Sequence, residues 1–145
     1  MVSSAPTRQL ASAAEAFAAI ALAAVACDGE LAALEARGQR QQLEYRQPYC
    51  TLSDTAMAEL LDRPLMILRQ QGCEALVRQA APLLEPAQRE TALAVAADLT
   101  RADHIETSDE HRFLRELAQH LEITPERSAQ ILEVIALLNC DSLAG

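Results

Sequence analysis

Four acidic residues stand at matching positions in two copies of a short pattern, and they are the strongest candidates for chemistry in this sequence. Asp28 and Glu35 are seven positions apart after an alanine-rich apolar segment, and Asp103 and Glu110 are seven apart after another such segment. An aspartate at a turn and a glutamate in the first turn of the next helix place carboxylate oxygens at a helix junction. Because such oxygens are preferred ligands of Ca²⁺, Mg²⁺ and Mn²⁺, the pattern predicts a divalent-cation site.

Two acidic turns together would supply enough ligands for such an ion, whereas one turn would not. Calcium takes about six to eight oxygen ligands, and magnesium takes fewer protein groups together with water. Glu30 and Glu106 extend the two turns as looser candidates, and Asp98 precedes the second turn. Neither turn is an EF-hand, because the alternating Asp or Asn ligands before the glycine are absent. We therefore expect Ca²⁺, Mg²⁺ or Mn²⁺ rather than Zn²⁺.

Each acidic turn also has a purely structural interpretation. An aspartate beside a helix end and a glutamate in a first turn are stabilised by capping and by the helix dipole. Thr107 and Glu110 form a capping box, in which each side chain bonds to an amide of the other residue. In this interpretation the acidic residues form a solvated surface with no bound ion.

The sequence offers little support for catalysis. His104, His111 and His120 lie near or after the second acidic turn, and we expect exposed structural histidines there, with a zinc or nickel site at His104 and His111 as the alternative. The chain has no Glu-x-x-His or His-Glu-x-x-His motif, no glycine-rich phosphate loop and no nucleophile elbow. We expect a non-enzymatic protein.

The composition predicts a single all-α domain, residues 1–145, with a disordered N-terminus at residues 1–6. Half of the residues are hydrophobic, but there are only two Phe, two Tyr and no Trp. The apolar residues are mostly Ala and Leu, which favour helices, whereas strands favour β-branched and aromatic residues. The net charge of −9 opposes binding to nucleic acid and to anionic membrane surfaces.

The cysteine pattern and the apolar segment before Cys27 bear on localisation. The four cysteines are scattered and form no Cys-x-x-Cys pair, so we expect reduced thiols in a cytoplasmic protein. Residues 24–27 loosely resemble a lipoprotein cleavage site, but Glu15 interrupts the upstream segment and the apolar run is too short to span a bilayer. We expect a buried first helix and no membrane insertion.

Periodicity and capping signals predict a compact bundle of about seven helices. Pro64 and Pro86 are expected to begin helices, as is Thr124, and the last helix is expected to turn Ile131, Leu132, Ile135 and Leu138 inward. The first five predicted helices span residues 7–27, 31–46, 54–62, 64–84 and 86–102, and the last two begin at Thr107 and Thr124. A faint repeat at an offset of 75 positions predicts two helical hairpins related by a pseudo-twofold axis; it matches Ala19 with Ala94, Ala21 with Ala96, Asp28 with Asp103, Glu35 with Glu110 and Arg37 with Arg112.

The arrangement resembles the TerB-like tellurite-resistance family. The resemblance is carried by Ala-Cys-Asp-Gly-Glu-Leu at residues 26–31 and by Arg-Ala-Asp-His-Ile-Glu-Thr-Ser-Asp-Glu at residues 101–110, each after an apolar helix. It implies an all-helical cytoplasmic stress-response protein that binds metal through acidic sites at Asp28, Glu35, Asp103 and Glu110. His104 departs from the pattern, since the second turn of the family ordinarily has glycine there.

Two functions are therefore expected from the sequence. The first is a non-enzymatic stress-response protein that binds a divalent metal through the two acidic turns. The second is a metal-free protein-interaction module or homodimer, in which an acidic face binds a basic partner and alanine-rich helices pack closely between copies. An enzyme that acts through the carboxylates or His104 is a third, weaker alternative.

Overall fold

A computed structural model describes residues 10–26, 46–100 and 108–140, with only the backbone described for residues 108–110. The described residues form six α-helices, two short 3-10 turns and no strand, which confirms the all-α prediction. The predicted helix at 31–46 falls almost wholly outside them, so the count differs from the predicted seven. The helices are α1 (Ala13–Val25), α2 (Asp54–Gln71), α3 (Cys73–Ala80), α4 (Pro86–Thr100), α5 (Ser108–His120) and α6 (Pro125–Leu138).

Helix α1 is the centre of the bundle. It packs against α2, α3 and α4, and nine of its 13 residues are buried. A helix that is apolar almost all round belongs in a core, as predicted for this segment. Most of its buried residues are alanines, whose small side chains let the neighbouring helices approach closely.

Helix α1 begins later than predicted. The Ser12 hydroxyl accepts a hydrogen bond of 3.2 Å from the amide of Glu15, and the Glu15 carboxylate accepts one of 2.9 Å from the amide of Ala11. The serine cap, together with the bond from the residue before it, fixes the first turn at Ala13. Since Ser12 has extended backbone angles (φ −149°, ψ 163°), the predicted start at residue 7 is wrong.

The boundary between the next two helices was predicted at Pro64, but it lies at Gly72. Pro64 lies inside α2, where it lacks the amide hydrogen of a normal helical residue, but its ring is fully buried and this packing offsets part of the cost. Gly72 has φ 92° and ψ 173°, a conformation that is open essentially only to glycine. Helix α3 then ends at Ala80, before a 3-10 turn (Ala81–Leu83) that contains Pro82, so the predicted end at residue 84 is also wrong.

Helices α4 and α6 run in the same direction, and α5 runs against them. Arg127 at the start of α6 donates a 3.0 Å hydrogen bond to Glu90 near the start of α4, and Asn139 after α6 donates one of 2.9 Å to Asp98 near the end of α4. Arg89 near the start of α4 instead donates to the carbonyl of Leu121 at the end of α5, at 3.4 Å.

Helix α1 has the same direction as α4. Ala13 and Phe17 in the first turns of α1 line one groove together with Ala87 and Thr91 in the first turns of α4. The pseudo-twofold relation between two hairpins is not confirmed, because the acidic turns of both repeats lie outside the described residues. Within the part of the chain that the structure describes, no helix has the length and apolar character needed to cross a membrane.

Candidate cation site at the ends of three helices

Most of the predicted ligands lie outside the residues that the structure describes. These are Asp28, Glu30, Glu35, Asp103 and Glu106. Glu110 lies in the first turn of α5, where the backbone alone is described. The structure does describe the helices that precede and follow the two acidic segments, and their arrangement can be compared with the predicted convergence.

The end of α1 lies beside the start of α3. The Sγ atom of Cys73, the first residue of α3, is 3.9 Å from the carbonyl oxygen of Ala23 and 3.8 Å from that of Ala26. Ala26 is the last described residue before the first acidic segment. Cys73 therefore marks the end of the bundle from which that segment departs.

The start of α5 lies at this same end. Cys73 shares a groove with Arg112 and Phe113, which stand in the first two turns of α5. Because α5 runs against α4, the end of α4 at Thr100 is also here, together with the end of α6 next to Asp98. The chain thus leaves α1, leaves α4 and enters α5 at one end of the bundle, and these are the points that the acidic segments join.

The partial charges of the helix ends bear on whether this end of the bundle attracts a cation. The C-terminus of a helix carries a partial negative charge of about half an elementary charge. Helices α1, α4 and α6 all end here, and none of them has a basic residue in its last turn. The nearest basic residue in the sequence after α4 is Arg101. Helix α2, which has Arg69 in its last turn, also ends here, and α3 and α5 begin here with partial positive charge. The ends of α1, α4 and α6 therefore add to the attraction of acidic side chains only in their immediate vicinity.

The described side chains do not themselves form a metal site. Among them there is no group of three or more His, Cys, Asp or Glu residues placed to hold an ion. His111 is exposed, and His120 lines the groove between α3 and α5; His104, its partner in the zinc or nickel alternative, lies outside the described ranges. A cation site at this end would have to draw on the acidic segments.

The groove between α3 and α5 is a small feature with mixed lining. It has a volume of about 230 Å³ and is lined by Cys73, Glu74, Glu116 and His120 among others. Burial raises the pKa of the Cys73 thiol, so the thiol stays protonated at neutral pH. Since the thiolate is the reactive form, this arrangement does not make Cys73 a nucleophile.

One surface that the sequence reasoning missed lies on α6. Ile131, Leu132 and Ile135 pack partly against the core as predicted, but Leu138 is 71% exposed, so its predicted inward position is wrong. Val134 and Leu137 are 61% and 67% exposed. The spacing of residues 134, 137 and 138 places them on one side of the helix, and this spacing could have indicated the exposed apolar surface.

The chain matches no protein-family model, no curated protein and no solved structure. The TerB-like resemblance accordingly has no support beyond the two sequence stretches that carry it.

Proposed function

We propose that this protein is a non-enzymatic module that binds a divalent cation, Ca²⁺, Mg²⁺ or Mn²⁺, at the end of the bundle where α1, α4 and α6 finish. The ligands would be carboxylates of Asp28, Glu35, Asp103 and Glu110, with Glu30 and Glu106 as further candidates. The observation that supports the proposal is that α1 and α4 end, and α5 begins, at one end of the bundle.

Binding of a cation would act as a clamp between the two segments. It would join a segment that follows α1 to one that follows α4, and it would neutralise charge in a chain of net charge −9. Because the ligands bind as carboxylates, acidification would release the ion. A role of this protein in tellurite or stress resistance stays a prediction from the resemblance alone.

Thermal unfolding of the metal-free protein, repeated with each ion, tests this proposal. A bound ion at about a hundredfold excess over its Kd adds about 2.7 kcal/mol to the free energy of unfolding. For a chain of this size that raises Tm by roughly 5–10 °C. The double variant Asp28→Asn with Asp103→Asn should lose the rise.

The matched control is the double variant Glu59→Gln with Asp62→Asn, which removes the same two charges from exposed positions on α2. It should keep the full rise in Tm. The proposal is wrong if no ion stabilises the wild-type protein, or if the Asp28/Asp103 variant responds as the control does.

A second candidate function is homodimerisation through α6. Val134, Leu137 and Leu138 continue the core-facing side of α6, so its C-terminal half is apolar over more than half of its circumference. A helix with so wide an apolar face is normally covered. A second copy of the same helix would cover it in a self-complementary contact about a twofold axis. The contact surface would be apolar and not the acidic face expected from the sequence.

Sedimentation velocity over a range of protein concentrations tests the dimer. Leu137→Glu should weaken self-association at least about tenfold, because it places a charge in the apolar contact. Leu83→Glu changes another exposed leucine, away from α6, and should leave association unchanged. A wild-type protein that stays monomeric at all concentrations would rule out this function.

A further inference from the structure

The opposite end of the bundle carries a groove of different character. It has a volume of about 510 Å³ and lies between the first turns of α1, the first turns of α4 and residues 46–49. Much of the lining is apolar, with Ala13, Phe17, Leu84 and Ala87, and the polar remainder includes Gln88 and Thr91. Among the described residues of the lining, Arg46 is the one charged side chain and there is no carboxylate.

The guanidinium of Arg46 lies over an aromatic ring and has no partner in the part of the chain that the structure describes. Its guanidinium carbon lies 5.9 Å from the centroid of the Phe17 ring, and its Nε is buried without a hydrogen-bond partner. Its side chain forms no ion pair or hydrogen bond with any described residue. The described ranges contain many more acidic than basic residues, yet none of their carboxylates is paired with Arg46. A buried donor without an acceptor is also costly, so an anionic ligand would stabilise this site.

The described residues around Arg46 add no negative charge. The Tyr49 hydroxyl donates a hydrogen bond to the carbonyl of Ala14, and its ring lies 6.3 Å from the ring of Phe17. Burial raises the pKa of the Tyr49 hydroxyl above its ordinary range, so the phenol stays neutral. The starts of α1 and α4 are also here, and helix N-termini carry partial positive charge.

We propose that this groove binds a small organic carboxylate with an apolar or aromatic body. The carboxylate would accept hydrogen bonds from the guanidinium of Arg46, whose planar fork of donors suits two carboxylate oxygens. The apolar body would lie on Phe17 and the alanines of the floor. The volume falls within the range of about 300–1,000 Å³ that is typical of small-molecule sites. The inference does not depend on the proposed cation site, which lies at the other end of α1 and α4.

Ligand titrations followed by ¹H–¹⁵N NMR test the proposal, with octanoate and benzoate as probes and octanol and benzyl alcohol as uncharged counterparts. We expect at least one acid to bind with chemical shift changes at Phe17, Arg46 and Thr91. The corresponding alcohol should bind at least about tenfold more weakly, because it lacks the charge-assisted hydrogen bonds. Preference for octanoate would identify an acyl chain as the body of the ligand, and preference for benzoate an aromatic ring.

Three variants test whether Arg46 is the anchor. Arg46→Met should weaken binding of the acid at least about tenfold, whereas Arg115→Met, which removes the same charge from an exposed position on α5, should not. Ala87→Phe leaves Arg46 in place and fills the groove, and it should abolish binding if Arg46→Met does not fold. Equal affinity of the acid for wild type and Arg46→Met, or for wild type and Ala87→Phe, would overturn the proposal. So would the absence of binding by both acids at concentrations up to about 10 mM.

Discussion

Arg63 of α2 and Glu15 of α1 form an ion pair, with the Nη1 atom of Arg63 3.2 Å from the Oε1 atom of Glu15. Glu15 is the only charged residue of α1, and its side chain is 14% exposed. The same oxygen also accepts the hydrogen bond from the Ala11 amide. One carboxylate therefore caps the central helix and joins it to α2.

Replacement of Glu15 by Gln should lower the free energy of unfolding by about 1 kcal/mol, because the side chain keeps its shape but loses its charge in a half-buried pair. Glu74→Gln is the matched control, since Glu74 pairs with Arg78 at 3.6 Å with both side chains more than half exposed. Its effect should be below about 0.5 kcal/mol. Urea unfolding measures both values, and equal effects would contradict the structural role given to Glu15.

The alanines of α1 should not tolerate larger side chains. Ala19 is fully buried between helices, and Ala19→Leu adds three carbons to a space that is already filled. We expect a loss of about 1–3 kcal/mol or more in the free energy of unfolding. Ala58→Leu makes the same change at an exposed position of α2 and should be nearly neutral. Thermal or urea unfolding of the two variants checks the difference.

Gly72→Ala should destabilise the protein through the backbone alone. A Cβ at this position would meet no atom within 4 Å, so there is no steric clash with a neighbour. The φ angle of 92° is nevertheless unfavourable for any residue with a side chain, at a cost of about 1–3 kcal/mol. Gln71→Ala, at the exposed last residue of α2, is the control and should have little effect. A neutral Gly72→Ala variant would show that the junction between α2 and α3 adopts another conformation.

The stability of the protein should fall at alkaline pH because of Tyr49. Burial raises the pKa of its hydroxyl, so the folded state keeps a proton that an unfolded tyrosine releases near its ordinary pKa of about 10. The contribution of the neutral Tyr49 hydroxyl to the free energy of unfolding is fully present below about pH 10. Above that pH it is lost, by up to about 1.4 kcal/mol per pH unit. Urea unfolding between pH 8 and about 11 should show a slope that is smaller in Tyr49→Phe. Cys73 acts in the same direction, since burial raises the pKa of its thiol too, so the comparison of the two proteins isolates Tyr49. Identical slopes would contradict the buried position of the hydroxyl.

Local signals in the sequence predicted the elements that depend on local chemistry. The predicted starts of α2 at residue 54 and of α6 at Thr124 are confirmed, because the hydroxyls of Ser53 and Thr124 accept hydrogen bonds from the amides three residues on, at 3.1 Å and 3.2 Å. The prediction at Pro64 was wrong because the unfavourable free energy of a proline inside a helix can be read from the sequence. The burial of its ring, which offsets that free energy, depends on tertiary packing. Gly72 gave no clear signal for the same reason, since its φ angle is set by how α3 folds back.

The candidate sites could be predicted only in part. The acidic residues were visible in the sequence, and the shared direction of α1 and α4 is consistent with the expected convergence, but the ligands themselves lie outside the described residues. The Arg46 groove was not predicted, because Phe17, Arg46 and Thr91 are far apart in the sequence and carry no motif. Whether a carboxylate of the described ranges lies beside Arg46 depends on the folded chain, and no local pattern in the sequence indicates it.

The central position of α1 has a consequence for how this protein can change in evolution. With almost every face of α1 in contact with α2, α3 or α4, a change of size at one alanine requires a compensating change in a neighbouring helix. Substitutions in α1 should therefore be accepted mainly in pairs. The outer side of α2 is free of this constraint, and sequence drift should concentrate there.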